Sequence, residues 1–270
     1  MLGKIIYAEV TVDDDLMPVI AGTWAKGSGY CPGFAPRGKG SHVVLVANSN
    51  KVVIRVTELS KRDRRLSPAV KWRLVQENFP IGTLLNADTH IFDGSVFKNS
   101  AGQVCFMMAA LPKAIAEPIG EMAEKWIKPH KLMRLDTIEH MMFRQFAHKA
   151  ALSREPTGPQ WLIFRQSQGF RILQLSNGLP QGAYYISDNP EFRAAELERV
   201  WKVAAPENGV ILMHTHRHQE DADTENFAAD TYAGSTPGLH DSNGWNKDLW
   251  IRELLQGMGA EISFETFQPA

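Results

Sequence analysis

The sequence has little cysteine, no long apolar run and almost no net charge, and each lack removes a class of protein. Two cysteines, Cys31 and Cys105, stand far apart in 270 residues with no CxxC pair. Both read as reduced thiols of a reducing compartment, with a disulfide between them left open. No apolar stretch approaches the roughly 20 residues of a membrane span. The opening MLGKIIYAEV reads as a first strand, not as a signal peptide. Lys and Arg number 29 against 30 Asp and Glu, for a net charge of −1, whereas a nucleic-acid binder carries a basic patch. There is no Walker lysine loop, no GxGxxG, no sustained heptad and no repeat at 20–50 residues.

What is present is ordinary globular composition, 44% hydrophobic and 22% charged, enough for a sizeable core. Residues 4–12 and 16–24 read as two strands around the turn Asp13-Asp14-Asp15, and the Gly/Pro-rich 26–41 reads as loop. Two β-branched runs, 42–47 and 51–57, flank Asn48-Ser49-Asn50 and predict a hairpin. Ser67 and Pro68 open a helix with a buried stripe at Ala69, Trp72, Val75 and Phe79. Strands over 83–92 and 103–110 follow, with turns at Asp93-Gly94 and 98–102. A helix over 112–126 buries Ile115, Ile119, Met122, Ala123 and Trp126. A short strand over 132–135 leads to a helix buried through Ile138, Met141, Met142, Gln145 and Phe146.

Residues 153–159 form the best linker in the chain. Beyond it three strands meander, 161–166, 170–175 and 181–187, with turns at Gln168-Gly169 and Asn177-Gly178. Asp188 is placed to cap a helix running to about Lys202. A strand over 209–213, a polar loop over 214–246, a helix over 247–258 and a strand over 260–264 complete the chain. Two α/β halves joined near residue 155 fit this order.

This order resembles the actin-like ATPase superfamily, and within it the pilus-assembly branch of PilM-type proteins and the cytoplasmic domain of GspL. The resemblance is carried by HVVLVA, the Ser67-Pro68 helix and VCFMMAA as an inserted subdomain, then by KAIAEPIGEMAEKW, LMRLD and the helix from Ile138. Asp136 sits where such proteins often carry an acid. The resemblance implies an α/β, actin-like (ribonuclease H-like) two-lobed fold: a first lobe over 1–152 with a small subdomain inserted at about 42–110, and a second over 160–270. It also implies a scaffold of a type IV pilus or type II secretion-like apparatus. Its partner would be the short cytoplasmic tail of an inner-membrane component, docked in a groove of the inserted subdomain. Homo-oligomers stay open.

The departures concern the nucleotide. ATP-binding members cradle phosphates on glycine-rich hairpins, where backbone amides must approach closely. Here the first hairpin, YAEVTVDDDLMPV, has no glycine, and the second, LIFRQSQGFRI, has one glycine and no acid. GVILM runs into HTHRH where an adenosine loop is expected. The expectation is therefore a degenerate site, no cofactor and no catalysis, with an ATP-binding protein as one alternative.

A metal-dependent hydrolase is another. His214, His216 and His218 follow a strand, where alternate side chains share a side, and imidazole suits zinc. Arg217 breaks the patterns of the hydrolase families that use HxH, so a solvated loop is the favoured reading. Asp13-Asp14-Asp15 and the basic run 61–65 read as solvated turn and loop. His140 and His148 read as helix surface or core edge, and Cys105 as core.

Overall fold

The computed structural model describes residues 5–12, 17–25, 29–32, 42–59, 67–78, 85, 87–99, 101–126, 131–152, 158–166, 168–207, 209–214, 245 and 248–266. Strands β1 (Ile5–Val12), β2 (Pro18–Ala25), β3 (Gly29–Pro32), β4 (His42–Asn48) and β8 (Lys131–Thr137) form one sheet in the order β3-β2-β1-β4-β8. The first three are antiparallel neighbours, whereas β4 runs parallel to both β1 and β8. The second sheet contains β9 (Gln160–Gln166), β10 (Gly169–Ser176), β11 (Leu179–Ser187), β12 (Val210–His214) and β13 (Ile262–Thr266). Its order is β11-β10-β9-β12-β13. Its first three strands again meander, and β12 again runs parallel to β9 and β13. The two sheets thus trace the same path, each strand taking the same rank in its own sheet.

A third sheet, β5 (Val53–Glu58), β7 (Val104–Pro112) and β6 (His90–Lys98), stands apart with helix α1 (Pro68–Asn78) against it. Parallel neighbours need crossovers, which helices usually supply. Helix α2 (Lys113–Trp126) returns the chain to β8, α4 (Arg193–Ala204) links β11 to β12, and α5 (Leu249–Gly257) precedes β13. Helix α3 (Ile138–Leu152) follows β8. No helix among the described residues is long and apolar enough to cross a membrane.

Burial follows the two-residue period of strands. Leu162, Phe164, Leu173 and Met213 point from the second sheet into a core shared with Ala8, Val44 and Val46 of the first. Their neighbours Trp161, Ile163, Ile172 and Leu212 point the other way, onto Leu197 of α4 and Ile251 and Leu255 of α5. Strand β7 does the same: Met107 and Leu111 join the shared core, while Phe106, Met108 and Ala110 pack against Leu74 and Val75 of α1. A strand buried on both faces reads as a continuous apolar run, as VCFMMAALP does. The turn at Asn177-Gly178 takes the left-handed backbone that its sequence suits, with φ of 51° and 71°.

Several expectations need correction. The runs 42–47 and 51–57 do not pair. β4 is consumed on both edges by β1 and β8, and β5 pairs with β7 in another sheet. The separate sheet therefore opens at β5, not near residue 42. Gly29–Pro32, read as loop, adds an edge strand to β2. The strand expected over 83–92 lies at His90–Lys98, and Asp93-Gly94 is inside it, with Gly94 close against the Met107 carbonyl. In α1, Val75 is buried as expected, but Ala69 and Trp72 are exposed, Leu74 shares the buried stripe with Val70 half-buried, and Phe79 lies outside the described residues. The helix meets its sheet on a face rotated from the one chosen by periodicity. Asp188 does not cap α4; it is held by Arg165 and Arg193 instead.

Candidate functional site

A groove of about 430 Å³ opens between the edge strand β6 of the separate sheet and the edge strand β8 of the first. Ile91–Ser95, Ala109 and Leu111 line one wall, and Arg134–Thr137 with His140 and Arg144 line the other. Asp136 organises the polar wall. Its Oδ1 accepts the Thr137 backbone N–H at 3.0 Å, and its Oδ2 lies 3.2 Å from Arg134 Nε and also accepts from Arg144 Nη2. The groove holds two arginines, Arg134 and Arg144, and two aspartates, Asp93 and Asp136, so their formal charges cancel. An occupant would be selected by shape and hydrogen bonding over mixed apolar and polar walls, not by net charge.

Thr137 is the N-cap of α3, its Oγ1 accepting the His140 backbone N–H at 3.3 Å. The His140 ring is buried, against the expectation of a surface or core-edge position. Its Nδ1 lies 3.1 Å from Thr137 Oγ1 and its Nε2 lies 3.3 Å from the Met107 carbonyl. Only a ring nitrogen carrying hydrogen can donate to a carbonyl, so this pairing places the proton on Nε2. Burial pushes the imidazole below the ordinary histidine range, against the pull of the Asp136 carboxylate and the Met107 carbonyl, while Arg144 adds to the depression.

The seam between the two five-stranded sheets is closed by polar side chains. Glu9 of β1 accepts from Asn48 Nδ2 at 2.6 Å, and Asn48 Oδ1 accepts from Gln166 Nε2 at 3.0 Å. Asn50 Nδ2 donates to Gln168 Oε1 at 2.9 Å. At the centre lies Arg171 of β10, 4% exposed. Its Nε is 3.0 Å from Glu139 Oε1 of α3, and its Nη2 reaches the carbonyls of Ser49, Asn50 and Val52 at 3.4, 3.4 and 3.1 Å. Its guanidinium also stands over the Tyr185 ring, 5.5 Å from the centroid. Burial raises the Glu139 carboxyl above its ordinary value, and Arg171 opposes that shift. The Arg171–Glu139 approach is an ion pair between two buried side chains.

Arg165, in the hairpin read as the second phosphate loop, is likewise engaged. It pairs with Asp248 at the start of α5 and with Asp188 at 3.0 Å. Arg193 completes the cluster, 3.4 Å from Asp188 and stacked 4.3 Å over Trp250.

Of the histidine cluster, His214 ends β12, while His216 and His218 lie outside the described residues, as do Asp13-Asp14-Asp15 and 61–65. Among the described residues no three His, Cys, Asp or Glu side chains gather as metal ligands. The sequence reading singled out Asp136 but missed Arg171 and Glu139. A lone arginine in a strand and a glutamate in a first helical turn carry no motif, and their role exists only once the sheets meet.

Two antiparallel meanders each extended by two parallel strands, joined across one seam and carrying an extra sheet, make an actin-like fold. No family model and no curated sequence matches the chain. Among solved structures, a PilM–PilN type IV pilus biogenesis complex superposes with a TM-score of 0.56 at 11% identity, covering 98% of this chain and 89% of that one. A Bacteroides thetaiotaomicron protein with an actin-like ATPase fold and unknown function gives 0.48 at 9% identity over 96% and 90%. The cytoplasmic domain of EpsL, an inner-membrane component of the Vibrio cholerae type II secretion system, gives 0.44 at 8% over 78% and 81%. At such identities the likeness is one of fold. The pilus complex carries it, and the two lower scores add no weight.

Proposed function

We propose that this chain is a non-catalytic scaffold of a type IV pilus or type II secretion-like apparatus. It has a first lobe over 1–152 and a second over 160–270 and works on the cytoplasmic side of the inner membrane. The observation that carries this reading is the groove between β6 and β8, open to solvent and lined by Ile91, Leu111, Asp136 and Arg144. β6 and β8 each end their sheet among the described residues, and neighbouring sheet edges suit an extended segment that adds a strand, with side chains dropping into the groove. The proposed occupant is the short cytoplasmic tail of an inner-membrane protein of the PilN type.

A degenerate nucleotide site is part of the same reading. Phosphate cradles need close backbone approach, and here the first hairpin has no glycine and the second only Gly169, while Arg165 and Arg171 are held by carboxylates. The test is a fluorescence-anisotropy titration with a labelled peptide of the cytoplasmic tail of the PilN-type protein from the same organism. Saturable binding that Ile91→Glu abolishes is expected. Binding indifferent to Ile91→Glu, no binding at millimolar concentration, or a source genome without such a protein would sink the reading. Magnesium ATP should leave the melting temperature unchanged, whereas a ligand at 100 times its Kd adds about 2.7 kcal/mol.

A further inference from the structure

We propose that Arg171 is a latch that fixes one wall of the groove from the far side of the seam. The first turn of α3 is gripped from two directions. On the groove side, His140 reaches the Met107 carbonyl of β7, and Asp136 and Thr137 form the wall itself. On the seam side, the adjacent residue Glu139 is fully buried and paired with Arg171 of the second sheet. The same guanidinium collects the carbonyls of Ser49, Asn50 and Val52, where the chain passes from the first sheet to the separate one. Arg171 therefore ties the α3 turn, which lines the groove, and the root of β5, which lies away from it, to a strand that does not touch the groove.

A buried guanidinium with five donors can hold a carboxylate and several carbonyls at once, which an ammonium cannot. If the carboxylate is lost, an uncompensated buried charge remains. The pair thus has one low-energy arrangement, and its geometry is inherited by residues on both sides. Arg171 is a positioning residue: it orients the wall and contacts no occupant. The inference goes beyond the docking reading, because it concerns the free protein.

The experiment is amide hydrogen exchange on the full chain without partner. The amides of Val52 and His140 are followed relative to Ile211, which sits in the centre of the second sheet and reports global unfolding. In wild type all three should exchange together through global opening. In Arg171→Met and in Glu139→Gln, the Val52 and His140 amides should both rise by about 100-fold relative to Ile211, through a shared local opening. Arg199→Ala, on the exposed face of α4, should change nothing. Should Arg171→Met fail to fold, Arg171→Lys keeps the charge without the fork, and a smaller joint rise is expected. A rise at Val52 alone, or no relative rise at either amide, would overturn the latch.

Discussion

Arg171 and Glu139 stand 32 positions apart in the sequence, on β10 and α3, yet their Nε and Oε1 atoms lie 3.0 Å apart with both side chains removed from water. Two opposite charges pay heavily for leaving water, and their mutual attraction roughly returns that cost. Breaking such a pair is different from replacing it. Glu139→Met and Arg171→Met should each lower stability by about 3–5 kcal/mol, because each leaves a lone buried charge. The double variant should lie far nearer wild type than the sum of the two. Urea unfolding of the four proteins gives the coupling directly, and additive single effects would contradict it.

The buried His140 makes stability fall in acid. Its folded-state proton affinity is below that of the unfolded chain, because burial disfavours the cation. The groups facing it are Asp136 and Asp93, which favour the proton, and Arg144, which opposes it. The contribution of the neutral ring is complete above the unfolded value, about 6.5, and drains away as pH falls towards the folded one. The stability gap between wild type and His140→Gln should therefore be widest at neutral pH and shrink below pH ~6.5. A gap that grows in acid would mean the ring carries a proton in the folded protein.

Two glycines should respond oppositely to alanine. At Gly169, where β10 begins, an added Cβ would sit 2.1 Å from the Ile186 carbonyl of β11 and 2.9 Å from the Tyr185 ring. The backbone must part, and a loss of at least the 1–3 kcal/mol typical of overpacking, roughly, is expected. At Gly120, inside α2, a Cβ would meet nothing within 4 Å. Gly120→Ala should stabilise by about 0.4–1 kcal/mol, chiefly by restricting the unfolded chain. Thermal melts of the two variants check both signs.

Cys105 should behave as a small core side chain. Burial, with Glu58 nearby, pushes its thiol up to about 12. The reactive species is the thiolate, so in a Cys31→Ser background a thiol reagent should label the native protein only at the rate of unfolding. Fast labelling in native buffer would show an accessible thiol.

Much of this architecture is legible in the primary sequence, and the reasons are local. Asn177-Gly178 can take positive φ, so its hairpin is set by two residues. Ile138, Met141, Met142, Gln145 and Phe146 fall on one helical face and are all buried. Where local patterns mislead, a distant segment has won. Asn48-Ser49-Asn50 looks like a turn between paired strands, but β1 and β8 claim both edges of β4. Asn48 and Asn50 then face Gln166 and Gln168, 118 residues on.

The sequence by itself determined most of the strands and helices, most of their apolar faces and the absence of glycine at the first hairpin tip, because each depends on neighbours a few residues apart. Only the tertiary structure decided which sheet each strand joins, that the two five-stranded sheets repeat one path, and that a groove forms beside Asp136. The physical reason is that strand pairing and buried charge are settled by whichever remote partner satisfies them best, and no local pattern records that choice.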